Sequence, residues 1–430
     1  MEKILAIFLL LTIGVFSNRR LPILHDGCQV RLVESIPENM TYFNSDVKHL
    51  STFDVWKSLL TMAQAEVKVT GFYWTLTGKD LNITNPSTGP GEEILEMFKN
   101  LKSRGVSLKI AQNGAKKAIA NLDEILKTGA EAQYLDFKKI FGSGVLHNKI
   151  WIIDNRHGYI GSANMDFRSL TQVKELGLYF TNCPTIMQDL GKIFDSYWLV
   201  GKMNSTVPET WPQELETSYN MTQMLDTEIN NESSNVFLSM SPPNFRAPGR
   251  TNDLTALLDV ISTAKKFVYI SVMTYSPEIV IYSDKGVSTQ FWPVIDDALR
   301  KRALNDKVEV RLLISRWQYT APSQKGFLAS LKSLNGLGKS KLRIREFIVP
   351  SYDEFQKKLD HARVNHNKYM VTDNKVFIGT SNWSGDYFLM TGGTSFVSVD
   401  NETSPGEKTI RQQAVDIFLR DWNSEFAYEL

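Results

Sequence analysis

The sequence predicts an α/β protein built from two similar α/β/α sandwich halves with mostly parallel sheets, related by a pseudo-dyad. Three observations lead there: a globular composition at a length of two or three domain equivalents, a helix-strand order that occurs twice, and a motif that closes each occurrence. The 430 residues are 42% hydrophobic and 22% charged, which suits folded domains rather than disorder. The formal net charge is +1, so the chain carries no overall basic field of the kind that gathers nucleic acid or anionic membrane non-specifically. Any polyanion must be held locally.

The repeat begins with Leu59 to Trp74 and Leu257 to Tyr275, each reading as a helix that runs into a strand. A second helix and strand follow in each half, at Glu92 to Ala111 and at Phe291 to Ser315. Strands alternating with helices favour a parallel sheet covered on both faces. The third element is the motif HxKxxxxD, at His147-Asn-Lys149 to Asp154 and at His366-Asn-Lys368 to Asp373. A short strand and a polar turn follow it, Gly161-Ser-Ala-Asn164 and Gly379-Thr-Ser-Asn382. Each half ends in a helix carrying Ile-Phe and then Trp, at Ile193, Phe194 and Trp198 and at Ile417, Phe418 and Trp422. The expected divisions are a leader over 1–18, a first half over 28–200, a surface linker over 201–250 and a second half over 251–430. The linker reading rests on its sequons and on Ser-Pro-Pro and Ala-Pro-Gly.

The leader has a charged start, an apolar run from Ile4 to Phe16 and a polar end, as a secretory signal does. The run is shorter than the roughly 20 residues that span a bilayer. A short signal anchor is the competing reading, because Arg19 and Arg20 follow the run closely. Either way the body of the protein is expected in the lumen of the secretory pathway, in the lysosome or secreted, and tethered to a membrane if the leader stays on. Sequons at Asn39, Asn82, Asn204, Asn220, Asn231 and Asn401 agree with that compartment. The two cysteines, Cys28 and Cys183, most simply form one disulfide in an oxidising lumen, with two buried thiols as the alternative.

Alternate residues of a strand share a face, so each HxK sets an imidazole beside an ammonium. If the two halves converge, His147, Lys149 and Asn164 meet His366, Lys368 and Asn382 around one phosphate diester, whose non-bridging oxygens the lysines and asparagines can bind. Two histidines permit a two-step reaction in which one attacks phosphorus and the other protonates the departing oxygen and then activates water. A nucleophilic imidazole needs an acceptor on its other nitrogen, and Glu175 is the candidate for His147. No equally clear acceptor for His366 emerges, which makes His147 the expected nucleophile and His366 the general acid/base. Asp154 and Asp373 would face away from the site as outer or structural carboxylates. Phe72, Tyr73 and Tyr275 stand at strand ends, where core packing is the leading explanation and a ring that stacks on a base is the alternative. Asn382 also begins a sequon, Asn-Trp-Ser, but is expected to be buried and unmodified. No HExxH, CxxC pair or carboxylate cluster has metal-ligand spacing, so neither a metal nor another cofactor is expected.

These paired motifs resemble the phospholipase D superfamily. Gly161-Ser-Ala-Asn-Met-Asp166, Arg168 to Gly177, Val364 to Asp373 and Ile378 to Gly385 look like its animal lysosomal branch, phospholipase D three and four, with the poxviral relatives. The resemblance runs from about Val30 to Trp422. It implies 5′→3′ exonuclease action on single-stranded DNA and RNA in acidic compartments, releasing 3′-phosphorylated nucleotides. Glycerophospholipid is the alternative substrate, and a homodimer stays open. A catalytically idle binding protein would suit a broken motif, and neither motif is broken.

Overall fold

The computed structural model describes residues 27–400 and 408–430, so the leader and Asn401 lie outside the described residues. Two mixed sheets repeat one strand order. The first runs Gln29–Ser35, Glu175–Thr181, His157–Gly161, Ile150–Ile153, Glu66–Gly71, Ser107–Asn113, Glu131–Leu135. The second runs Glu232–Ser241, Gly393–Asp400, Lys375–Gly379, Lys368–Thr372, Phe267–Val272, Glu309–Ser315, Leu342–Phe347. Strand directions match place for place: the last three of each list run parallel, and every earlier neighbour pair is antiparallel.

The sheets are therefore mixed, not mostly parallel as the helix-strand alternation implies. The alternation is real for the three parallel strands, each reached through a helix. The HxK strands instead enter tight hairpins, Ile150–Ile153 to His157–Gly161 and Lys368–Thr372 to Lys375–Gly379, and a turn of two or three residues can only reverse the chain.

The surface-linker reading of 201–250 also needs correction. Leu225–Ile229 and Glu232–Ser241 form a hairpin through Asn230 and Asn231, both with positive φ, and the longer strand pairs with Gly393–Asp400 as the first strand of the second sheet. The apolar stretch Val236 to Met240 is buried there. Turn-forming asparagines and sequons mask a strand pair in this composition. Asn230 also clamps the first half, exchanging hydrogen bonds with the backbone of Val30 at 2.9 and 2.8 Å.

Helix Thr52–Met62 opens on Ser51, whose hydroxyl accepts the Asp54 N–H, and buries Val55, Trp56, Leu59 and Leu60 at helical spacing. Helix Asp253–Thr263 repeats this with Asn252 as cap and Ala256, Leu257, Val260 and Ile261 buried. These helices cover the outer face of each sheet. Between the sheets lies one continuous apolar cluster holding Ile160, Leu178 and Phe180 from the first half with Ile378 and Phe396 from the second. Phe180 and Phe396 meet edge to face at 5.5 Å. Helices Pro184–Lys202 and Ile410–Trp422, which carry the repeated Ile-Phe and Trp, fill the same layer.

A buried ionic knot crosses it. Lys174 contacts Glu34 at 3.3 Å and Asp421 at 2.9 Å, and Arg420 contacts the same two carboxylates at 2.6 and 2.9 Å. Burial alone would raise the Glu34 pKa, but Arg420 and Lys174 bring it down to about 2. Cys28 and Cys183 are joined in a disulfide, which ties the first strand to the start of helix Pro184–Lys202. Among the described residues no helix is long and apolar enough to cross a membrane.

Candidate active site

Each HxK segment crosses to the other half just before its strand. Leu146 bridges to Gly392, with the His147 N–H donating to the Gly392 carbonyl at 2.9 Å and the Gly392 N–H donating to Val145 at 2.8 Å. Lys174 bridges to Asn365 in the same way, with the His366 N–H donating to Lys174 at 2.7 Å and the Lys174 N–H donating to Val364 at 2.9 Å. These reciprocal bonds bring His147 and His366 into one cavity of about 450 Å³.

Both histidines are nearly buried and both are held through Nδ1. That nitrogen of His147 donates to the Thr380 carbonyl at 2.8 Å, since a carbonyl can only accept. His366 Nδ1 donates to Glu175 Oε2 at 2.8 Å. Glu175 therefore serves His366, not His147. The reason is topological: Glu175 follows Lys174, whose backbone pairs with the residue preceding His366. In the matching place of the second half, Gly393 follows Gly392, so His147 meets no carboxylate and takes a backbone carbonyl from the Gly-Thr turn.

Lys149 Nζ donates to the His147 carbonyl at 2.5 Å and Lys368 Nζ to the His366 carbonyl at 2.6 Å, a matched pair of cations with almost no exposure. Burial, reinforced by Lys368, drives the Lys149 pKa well below the usual ammonium range. Burial brings Lys368 down to about 7 against the opposing pull of Glu175. His147 is pushed well below the ordinary imidazole value by burial and by the charges of Lys149, Lys368 and His366. His366 is lowered by burial too, but Glu175 opposes the shift. Four basic groups crowded together with so little exposure disfavour one another's protonation, and an anion bound among them would relieve that.

Asn164 and Asn382 line the cavity as well. Asn164 Nδ2 donates to the Tyr73 hydroxyl at 3.3 Å and Asn382 Nδ2 to the Tyr387 hydroxyl at 3.1 Å. Phe72 stands with its ring 5.2 Å from that of His147 and 5.5 Å from Lys149 Nζ, so Phe72 and Tyr73 are wall residues as the strand-end position suggests.

Tyr275 is not. It is 1% exposed and its hydroxyl donates to Asp296 at 2.6 Å, inside the core of the second half. The place of a ring on that side belongs to Met273, the residue after strand Phe267–Val272, and to Trp317 beyond the next strand.

Asp154 and Asp373 lie away from the cavity lining, as structural carboxylates. Asp154 accepts the backbone N–H groups of Gln64, Ala65 and Glu66 at 2.8 to 2.9 Å, and Asp373 those of Lys265, Lys266 and Phe267 at 2.9 to 3.3 Å. Each pins the start of the strand beside its own HxK strand, from the far end.

Sequence reasoning missed Tyr387, whose ring is edge-on to His147 at 5.1 Å, and the pair Asp166 and Arg168 at the cavity wall. Asp166 caps a short helix through the Arg168 N–H and grips the Arg168 guanidinium at 2.6 Å. Arg168 and Asp166 stand in the quoted family strings, so their place in the string was visible while their contact was not. Asn39, Asn82, Asn204 and Asn231 are exposed, Asn220 is half-buried, and Asn382 is 5% exposed.

A family profile described as PLD3/4, PLD-like domain matches residues 44–352. The chain belongs to the phospholipase D three/four family. Its sequence is 44% identical to the Xenopus laevis protein named 5′-3′ exonuclease PLD3, over 94% of this chain and 81% of that one. The Homo sapiens PLD3 of the same name is 42% identical over 96% of this chain and 83% of its own length. The Mus musculus 5′-3′ exonuclease PLD4 is 38% identical over 94% of this chain and 80% of its own. Among solved structures, the phosphatidylserine synthase of Haemophilus influenzae superimposes with a TM-score of 0.56 over 88% of this chain and 84% of that one, at 11% identity. That likeness concerns the fold alone. A phospholipase D three/four protein is a phosphodiesterase, and the single cavity described above is where the histidines of the two HxK motifs meet in this one.

Proposed function

We propose that this chain is a 5′→3′ exonuclease on single-stranded DNA and RNA, working through a phosphohistidine without a metal cofactor. The observation that carries it is the cavity shared by two histidines, each held through Nδ1 by the opposite half, with a buried lysine Nζ on the carbonyl of each. A donor bond at Nδ1 leaves the Nε2 lone pair of a neutral ring free for phosphorus.

His147 acts as nucleophile, because its surroundings keep it neutral. His366 acts as acid and base, because Glu175 opposes the lowering that burial imposes on it and, among the described residues, no such carboxylate stands beside His147. In the first step His147 Nε2 bonds to phosphorus, the bond from phosphorus to the 5′-oxygen of the following nucleotide breaks, and that oxygen takes the proton of His366. In the second step His366 removes a proton from water, the new oxygen bonds to phosphorus, and the histidine-phosphorus bond breaks. The released nucleotide keeps a 3′-phosphate. Lys149, Lys368, Asn164 and Asn382 face the non-bridging oxygens, where negative charge grows in the transition state. The relatives named 5′-3′ exonucleases support this choice of substrate.

The lumenal setting is part of the same reading, supported by the disulfide and by four exposed sequon asparagines. The test incubates the purified protein with EDTA at acid pH with a 5′-hydroxyl single-stranded oligonucleotide, beside a His147→Ala control and a phospholipid assay. Stepwise shortening from the 5′ end that vanishes in the variant is the expected result. An inert oligonucleotide with phospholipid turnover would replace this reading with a lipid phosphodiesterase.

A further inference from the structure

The carboxyl ends of the parallel strands in both halves, where ligands of such sheets generally lie, border the shared cavity. The residues beyond them come from matching places in the repeat but differ in content. The strand beside the HxK strand ends at Gly71 and Val272, and the residues that follow are Phe72 and Met273. The next strand out ends at Asn113 and Ser315, and two residues further on stand Ala115 and Trp317. The first half thus spends its aromatic surface next to His147, and the second half carries it further out.

Trp317 is not alone. Its ring meets that of Tyr319 edge to face at 4.9 Å, and Tyr319 stacks on His361 at 4.7 Å with the planes 23° apart. Trp317 and His361 line the cavity that holds both catalytic histidines, and Tyr319 is 48% exposed. Asp360 braces the group: Tyr319 Oη donates to its carboxylate, and Arg168 Nη1 from the first half donates to its carbonyl at 2.7 Å. Three rings held at a wet cavity mouth, attached to both halves, have little to gain by way of core burial.

We propose that Trp317, Tyr319 and His361 form a nucleobase-stacking subsite for the nucleotide adjoining the scissile phosphate. This rests on the exonuclease reading and extends it, because a base has a π-face to offer in a cavity that also holds the histidines and a glycerophospholipid does not. Stacking of this kind accepts any base, so the subsite selects nucleic acid without selecting sequence.

The test crosses two changes. Wild-type enzyme and Trp317→Ala are assayed on an oligonucleotide with bases throughout and on two others that carry an abasic residue at the first or the second position from the 5′ end. For wild type, one of the abasic substrates should lose about tenfold in kcat/KM. Trp317→Ala should lose about as much on the intact strand and nothing more on that same abasic strand, while Trp317→Phe retains most of the activity. Tyr319→Ala, at a more exposed position, should show the same pattern with a smaller loss. Losses that multiply across protein and substrate, or a Trp317→Ala enzyme equal to wild type on the intact strand, would overturn the subsite and leave the exonuclease standing. A wild-type enzyme inert on the intact strand overturns both.

Discussion

The two halves agree in strand order, strand direction, the HxK pair, the asparagine that follows it and the aspartate that pins the neighbouring strand. They disagree where each meets the histidine of the other. The first half offers a carboxylate, Glu175, and the second offers only the Thr380 carbonyl, because Gly393 takes the equivalent place. A Cβ on Gly393 would come within 2.2 Å of Ser381 Oγ and 2.7 Å of Ser241 Oγ, so no acidic side chain fits without rearranging a packed interior. Duplication supplies two equal imidazoles, and one position of divergence separates their proton affinities. That is how a symmetric frame can carry an asymmetric reaction.

The most severe way to break the comparison is to remove the histidines singly. His147→Ala and His366→Ala should each reduce turnover of a natural strand by about 10³-fold or more. With a 4-nitrophenyl leaving group, which needs no proton, His366→Ala should still release one equivalent in a burst while His147→Ala gives none. A burst in the His147 variant would exchange the two roles.

Glu175→Gln probes the divergence itself. Losing the carboxylate removes what raises the His366 pKa, so its protonated form fades at lower pH. The alkaline limb of kcat/KM should move toward acid, with a loss of about 10- to 100-fold at its optimum. An unmoved limb would show that Glu175 only positions the ring.

Replacing either lysine asks whether the halves share the phosphate equally. Lys149→Met and Lys368→Met should lower kcat/KM by comparable amounts, on the order of 10²-fold. A large difference would assign the charge to one side.

The mildest effect is expected where the halves are most alike. Asp154→Ala and Asp373→Ala each strand three backbone N–H groups and should lower stability by about 1–3 kcal/mol in a denaturant titration, with kcat nearly unchanged. The Asp373 pKa is depressed by backbone hydrogen bonds that outweigh burial, so its contribution persists above the ordinary carboxylate pKa and is lost as pH falls through the lowered one. A loss of kcat would tie these carboxylates to catalysis after all.

Much of this was legible in the sequence because it is local. The HxK alternation fixes which side chains share a face, the Gly-Ser/Thr-x-Asn turn follows within a few residues, and the repeat announces itself by order. What was not legible depends on contacts between distant segments. Glu175 lies closer in sequence to His147 than to His366, yet the Lys174–Asn365 bridge delivers it to the farther ring. Tyr275 and Trp317 both sit beyond strand ends, and only packing decides that one is sealed against Asp296 while the other reaches the cavity. The hairpin within 225–241 was hidden for a compositional reason, its asparagines and serines being those of a loop.

The crossed backbone bonds at Leu146–Gly392 and Lys174–Asn365 have a bearing on how the molecule comes to life. During synthesis the first half emerges with His147, Lys149 and Asn164 complete, but the carbonyl that orients its histidine has not yet been made. The frame that holds His147 is complete only once Thr380 and Gly392 have been made and have docked on the first half.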